Sequence, residues 1–113
     1  MKFNYKEYGD ILYRHESYGF RYNSGTSKIQ TIDIRLTHML DDDKFAYEID
    51  LKDDQEFIIN GKKIKRFGSA DFDLYQSLGS GIQYQTLFNT REQALQHAID
   101  TFYVLFDKNE VKK

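Results

Sequence analysis

The chain has 113 residues, 30% of them charged, with a formal net charge of −2. That length suits one hydrophobic core burying about two thirds of the unfolded surface, so a single domain over 1–113 is expected. The charge balance excludes a polybasic nucleic-acid binder and an extreme acidic mimic.

No apolar run approaches the ~18 residues of a membrane span. The start, Met1 to Glu7, has no apolar leader segment behind it, so a cytoplasmic location is expected. Without cysteine there are no disulfides, thiol catalysis or zinc ribbons. Nine Phe and nine Tyr supply large apolar area to a small core, and proline is absent.

Residues 1–15 read two ways. Asn4 and Glu7 form a capping box with Tyr5, Tyr8 and Leu12 at helical spacing, whereas Gly9-Asp10 signals a turn before a strand over 11–14. A short helix or irregular arm is the expectation. Strands follow: Tyr18, Phe20 and Tyr22 alternate with small or polar residues up to Asn23-Ser24-Gly25, then Ile32, Ile34 and Leu36. Phe45, Tyr47, Ile49 and Leu51 give the cleanest period of two, which means a sheet covered on one side.

Asn60-Gly61 predicts a type I′ hairpin in which Ile59 faces Lys62, Phe57 faces Ile64 and Glu56 faces Lys65. Ser69 reads as the N-cap of a short helix over about 70–78, with Asp71 and Asp73 in its first turn and Gly79 after its end. Ile82, Tyr84, Thr86 and Phe88 alternate as a last strand. Thr90 and Gln93 form a capping box, and Ala94, Leu95, Ala98, Ile99, Phe102, Leu105 and Phe106 stripe an amphipathic helix over about 91–106. Residues 108–113 read as a frayed tail. The fold class is α+β: an antiparallel sheet with both helices on one face.

No catalytic or metal constellation stands out. His15, His38 and His97 lack ligand spacing, and structural or surface roles are expected for them. No nucleophile elbow is present, and Gly79-Ser80-Gly81 leads into a strand rather than a helix, so it reads as a turn. Loops begun at Asp41 or Asp71 lack the Gly and Glu of an EF-hand. The chain is therefore read as a non-enzyme with no cofactor and no metal.

Charge is patterned instead. Residues 41–56 hold eight acids against two lysines, a net −6, and Lys62-Lys63-Ile64-Lys65-Arg66 follows at +4. Glu48 and Asp50 point outward by the strand pattern, which predicts one acidic surface with the flanking loops. That surface is either a solubilising face or a docking site for a partner's cations, and the tyrosines crowding the first fifth of the chain are either packing or interface residues. On the basic hairpin, alternation sends Lys63 and Lys65 to one face and Lys62 and Arg66 to the other. Such lysines also protect a sheet edge.

Phe88-Asn89-Thr90-Arg91-Glu92-Gln93-Ala94, with Ala98 following, resembles the strand-to-helix junction of the arm-type DNA-binding domains of phage integrases. That resemblance implies a sheet that reads DNA, with Lys62, Lys63, Lys65 and Arg66 as its contacts. Ten Ile against two Val and eleven Lys against five Arg are the bias of AT-rich coding, at home in AT-rich bacteria with their phages and plasmids. By type (short, free of Cys and Pro, rich in Tyr and Phe, mildly acidic) the chain resembles the small anti-defence proteins of those elements. Anti-CRISPR inhibitors of Cas9 are the best-known class.

This second resemblance implies stoichiometric binding of a host nuclease, with acids placed where nucleic acid would sit. The candidates are Asp41, Asp42, Asp43, Asp50, Asp53 and Asp54. The leading expectation is thus a non-enzymatic inhibitor that binds a host nucleic-acid-processing protein. A DNA-binding module using the basic hairpin is the alternative.

Overall fold

The computed structural model describes residues 9–23, 29–51, 56–59, 61–78, 82–108 and 111–112. Alternation builds its main sheet. β1 (Tyr13–Asn23), β2 (Ile29–Met39) and β3 (Lys44–Leu51) form an antiparallel meander. A three-residue strand, Arg66–Gly68, adds to the far edge of β3. Because successive side chains take opposite faces, the register sets Tyr18, Ile34, Ile49 and Phe67 in one row across all four strands. Neighbouring rows hold Phe20, Ile32 and Leu51 on one side, and Glu16, Leu36 and Tyr47 on the other.

Between β3 and that edge strand the chain makes a second, smaller sheet. β4 (Glu56–Ile59) and β5 (Lys62–Ile64) form the expected hairpin, with Ile59 opposite Lys62 and Phe57 opposite Ile64. Gly61 has φ +79°, where a side chain would strain the turn. The hairpin ladder ends at Ile64 and does not extend to the expected backbone pair between Glu56 and Lys65. β5 ends at Ile64, the chain bends at Lys65, and the Lys65 carbonyl accepts the Leu51 amide at 2.9 Å. That bend carries the chain into β6 (Arg66–Gly68), and so from the small sheet into the main one.

Two helices cover the core face. α1 (Phe72–Leu78) buries Leu74 and Tyr75, and α2 (Arg91–Lys108) buries Ala94, Ala98, Phe102 and Leu105. Small residues at 94 and 98 let α2 lie close on β2 and β3. Phe102 contributes about 1.5–3 kcal/mol by full burial. The fold is α+β, with an antiparallel sheet and both helices packed against it. α2 starts as its capping box predicts: the Gln93 amide donates to Thr90 Oγ1 at 3.1 Å. The return bond reaches one residue further back, from the Asn89 amide to Gln93 Oε1 at 3.2 Å.

Other expectations need correction. Residues 82–88 form no strand. β3 already pairs with β2 on one edge and with β6 at Glu48–Asp50 on the other, which leaves room only for a bridge between Phe45 and Phe88. Ser69 is no N-cap: it is buried, its amide donates to the Tyr47 carbonyl, and its Oγ accepts the Tyr47 amide at 3.2 Å. Asp71 stands at the helix start instead, with its carbonyl accepting the Tyr75 amide and its carboxylate the Gly68 amide.

The C-terminal segment is not wholly a free tail. α2 continues to Lys108, and β7 (Val111–Lys112) pairs with the open edge of β4, whose backbone groups need partners. At the N-terminus, residues 9–12 are irregular and β1 begins at Tyr13. The helix expected over the first residues, Asn60 of the hairpin turn, Gly79 and the Phe106 side chain lie outside the described residues.

Gly68 is a close-approach position, since a Cβ there would stand 2.8 Å from the Tyr47 carbonyl oxygen. Gly68→Ala must push β6 off β3 and disturb the Ser69 bonds. We expect it to cost about 1–3 kcal/mol in urea unfolding, with unchanged slope.

Candidate functional site

The outward face of the main sheet places opposite charges beside each other. Asp50 is registered against Arg66, whose Nε–H donates to Asp50 Oδ1 at 2.5 Å. Glu48 lies 3.8 Å from both Arg35 and Arg66. The expected acidic surface is therefore interrupted: Asp50, from the acidic set, and Arg66, from the basic set, hold each other. The hydrogen bond to Asp50 also raises the Arg66 pKa.

Asp41, Asp42 and Asp43 lie at the opposite end of β3, in the exposed turn between β2 and β3. Asp50 lies seven positions along from Asp43, roughly 20 Å on an extended strand. Asp43 takes the left-handed conformation, φ +53°, which Asp tolerates better than most residues. Its Oδ1 accepts from His38 Nε2 at 2.7 Å. The His38 ring stacks on Phe45, with centroids 4.2 Å apart and planes at 11°. His38 Nδ1 is buried without a partner among the described residues. Asp53 and Asp54 lie outside the described residues.

Exposed apolar residues lie at this end of β1 and β2, with Tyr13 on the face that carries His15. The Leu40 amide donates to the Leu12 carbonyl at 3.0 Å, and Tyr13 is registered against Met39. Leu12 is 59% exposed and Tyr13 49%, with Ile11 and Leu40 also open. Apolar side chains rimmed by charge are the usual anatomy of a protein-docking surface. Sequence reasoning missed this grouping. The signal was available in Leu12 and Leu40, but only the pairing of β1 with β2 joins them.

The basic residues meet elsewhere. Lys62, Lys63, Lys65 and Arg66 all line one open cleft of about 590 Å³ between the bend at Lys65 and α1. Alternation holds through Lys62 and Lys63 on β5, and the bend at Lys65 ends that ribbon before Arg66. Ile64, Phe67 and Leu74 supply apolar lining, and Asp71 and Asp73 supply two acids. Phe72, also lining the cleft, is 48% exposed and meets Tyr84 edge-on at 5.0 Å.

Two polar clusters hold the helices over the sheet. His97 Nε2–H donates to the Gln83 carbonyl at 2.8 Å, so Nδ1 accepts from the Tyr47 hydroxyl at 2.9 Å. Tyr47 oxygen then accepts from Tyr75, whose phenol burial pushes up to about 12 and so stays a donor. Thr101 Oγ1 donates to the His97 carbonyl at 2.8 Å. The second cluster is a two-pronged pair: Arg91 Nε–H and Nη2–H donate to the two Glu16 oxygens at 2.6 and 2.8 Å. Tyr18 adds a third bond to Glu16 at 2.9 Å. His15 meets Thr37 on the opposite face at 2.9 Å. Among the described residues, no three His, Asp or Glu side chains converge as metal ligands, and no helix is long and apolar enough to cross a membrane.

Removing the Tyr47 hydroxyl leaves His97 Nδ1 without its donor, so Tyr47→Phe should cost about 1–3 kcal/mol in urea unfolding. The Glu16 pair sets an acid limit. Arg91 holds the Glu16 carboxyl at about 2, below its ordinary 4.5. The unfolded chain therefore binds more protons between these values, so the stabilisation is complete above about pH 4.5 and is lost as pH falls towards 2. Glu16→Gln should lower the melting temperature at pH 7, with the gap to the parent closing across that window.

Compared with known protein families, curated proteins and solved structures, the chain matches none.

Proposed function

We propose that this chain is a non-enzymatic binding protein that docks on a basic surface of a nucleic-acid-processing protein and inhibits it. The observation that carries this reading is the exposed end of the meander. There Asp41 and Asp42 follow Leu40, which is bonded to Leu12, and both leucines are exposed. The apolar residues would bury against the partner while the two carboxylates meet its lysines and arginines and steer the encounter. The turn is held in shape before binding, by His38 on Asp43 and by the Leu40–Leu12 bond, which lowers the ordering cost of association. Asp43 contributes to that shape, while Asp50 is held by Arg66 and belongs to another part of the surface.

In its most concrete form the partner is a Cas9-type nuclease, and the acids occupy cationic positions otherwise filled by nucleic acid. The resemblance in type to anti-CRISPR proteins supports that choice. The first experiment is capture of partners from bacterial lysate with and without nuclease treatment, read by mass spectrometry. A nucleic-acid-processing protein retained after digestion supports the reading. Loss of every such protein on digestion overturns it. With a purified partner, Asp41→Lys with Asp42→Lys should slow association about tenfold and reduce its salt dependence. Leu12→Asp should chiefly speed dissociation. Unchanged rates in both variants would remove the turn from the interface.

A further inference from the structure

The cleft at the other end of β3 has chemistry of its own. We infer that it binds a single-stranded segment of nucleic acid, with Lys62, Lys63, Lys65 and Arg66 holding backbone phosphates and Phe72 offering a ring on which a base stacks. Three lysines and Arg66 line the cleft with two acids, Asp71 and Asp73, although the chain as a whole carries −2. One of those acids, Asp71, already accepts the Gly68 amide, so its charge is turned towards the backbone. Arg66 bonds Asp50 through Nε and remains largely exposed, leaving other guanidinium N–H groups for a ligand.

Aromatic support distinguishes this cleft from a merely basic surface. Phe72 is half exposed and braced edge-on by Tyr84, which in turn meets Tyr75 at 5.6 Å and 63°. Tyr75 is buried in the core. The ring is therefore backed by the core and its cost of ordering is low. Cations that follow a backbone beside an exposed ring are what sequence-tolerant single-strand recognition uses. A recessed site suits splayed bases, whereas reading a duplex calls for a helix or ribbon that protrudes into a groove. The cleft lies roughly 20 Å from the acidic turn along β3, so the two surfaces can be occupied together.

The test is fluorescence anisotropy of the full chain with a labelled 20-nucleotide oligo(dT), at salt from 50 to 300 mM. Binding should weaken linearly in logarithmic salt, with a slope of about −0.7 for each phosphate held. Lys62→Glu with Lys63→Glu should weaken binding at least tenfold and flatten that slope, and the paired arginine replacements should retain it. Phe72→Ala should weaken binding about tenfold with the slope unchanged, because stacking releases no counterions. Asp41→Lys with Asp42→Lys should not reduce binding, which separates this site from the docking turn. Circular dichroism and melting temperature would be matched across variants, all of which alter exposed side chains. No binding at 50 mM salt, binding indifferent to both the lysine and Phe72 changes, or tighter binding of a 20-base-pair duplex would each overturn the inference.

Discussion

The hydroxyl of Tyr47 is the point on which the sheet, the short helix and the long helix converge. It donates to His97 on α2 and accepts from Tyr75 on α1, while the Tyr47 backbone exchanges bonds with Ser69 just after β6. Apolar packing alone tolerates many small shifts of a helix over a sheet. A buried polar network does not, because a shift strands a donor or an acceptor away from water. Glu16 and Arg91 add a second anchor by tying the first turn of α2 to β1. Together the two anchors fix both the position and the direction of α2, and the apolar stripe Ala94, Ala98, Phe102 and Leu105 fills the space so defined.

On the opposite face the governing constraint is cross-strand charge pairing. A count along the chain gives a strongly acidic stretch followed by a strongly basic one. Register dismantles much of that contrast, because β6 brings Arg66 beside Asp50 and near Glu48, and β2 brings Arg35 near Glu48. These pairs are exposed and contribute little to stability. Their effect is electrostatic: they quiet the middle of the face, with Asp41 and Asp42 at one end of β3 and the basic residues of the cleft near the other.

Local features were legible in the sequence because their physics is local. The period of two over 45–51, the Asn-Gly turn and the Thr90–Gln93 cap each depend on residues within a few positions of one another. The misread segments depend on what lies across the fold. Residues 82–88 have a good strand pattern, yet no edge of β3 remains for them beyond Phe45. Ser69 has the right identity for an N-cap, but the Tyr47 amide claims its hydroxyl. The clamp between Glu16 and Arg91 spans 75 positions and leaves no pattern at all. The basic residues were visible as a run, but the cleft they line is completed by α1 and by the bend at Lys65, where the chain changes sheets.

The exposed leucines of the proposed docking end also follow from where the core stops. On β1 and β2 the core face carries the even-numbered positions, and the row of His38 and Phe45 is its last closed one: Phe45 is buried and His38 covers it. Leu12 and Leu40 continue the apolar period one row further, past the cover of both helices. They add little to the core, and exposed leucines at the end of a sheet invite association. Two polar residues would complete the same turn with less exposed apolar surface. Apolar side chains kept beyond the closed core, next to carboxylates on a turn braced by His38, are the features on which the proposed docking to an apolar centre with a basic rim depends.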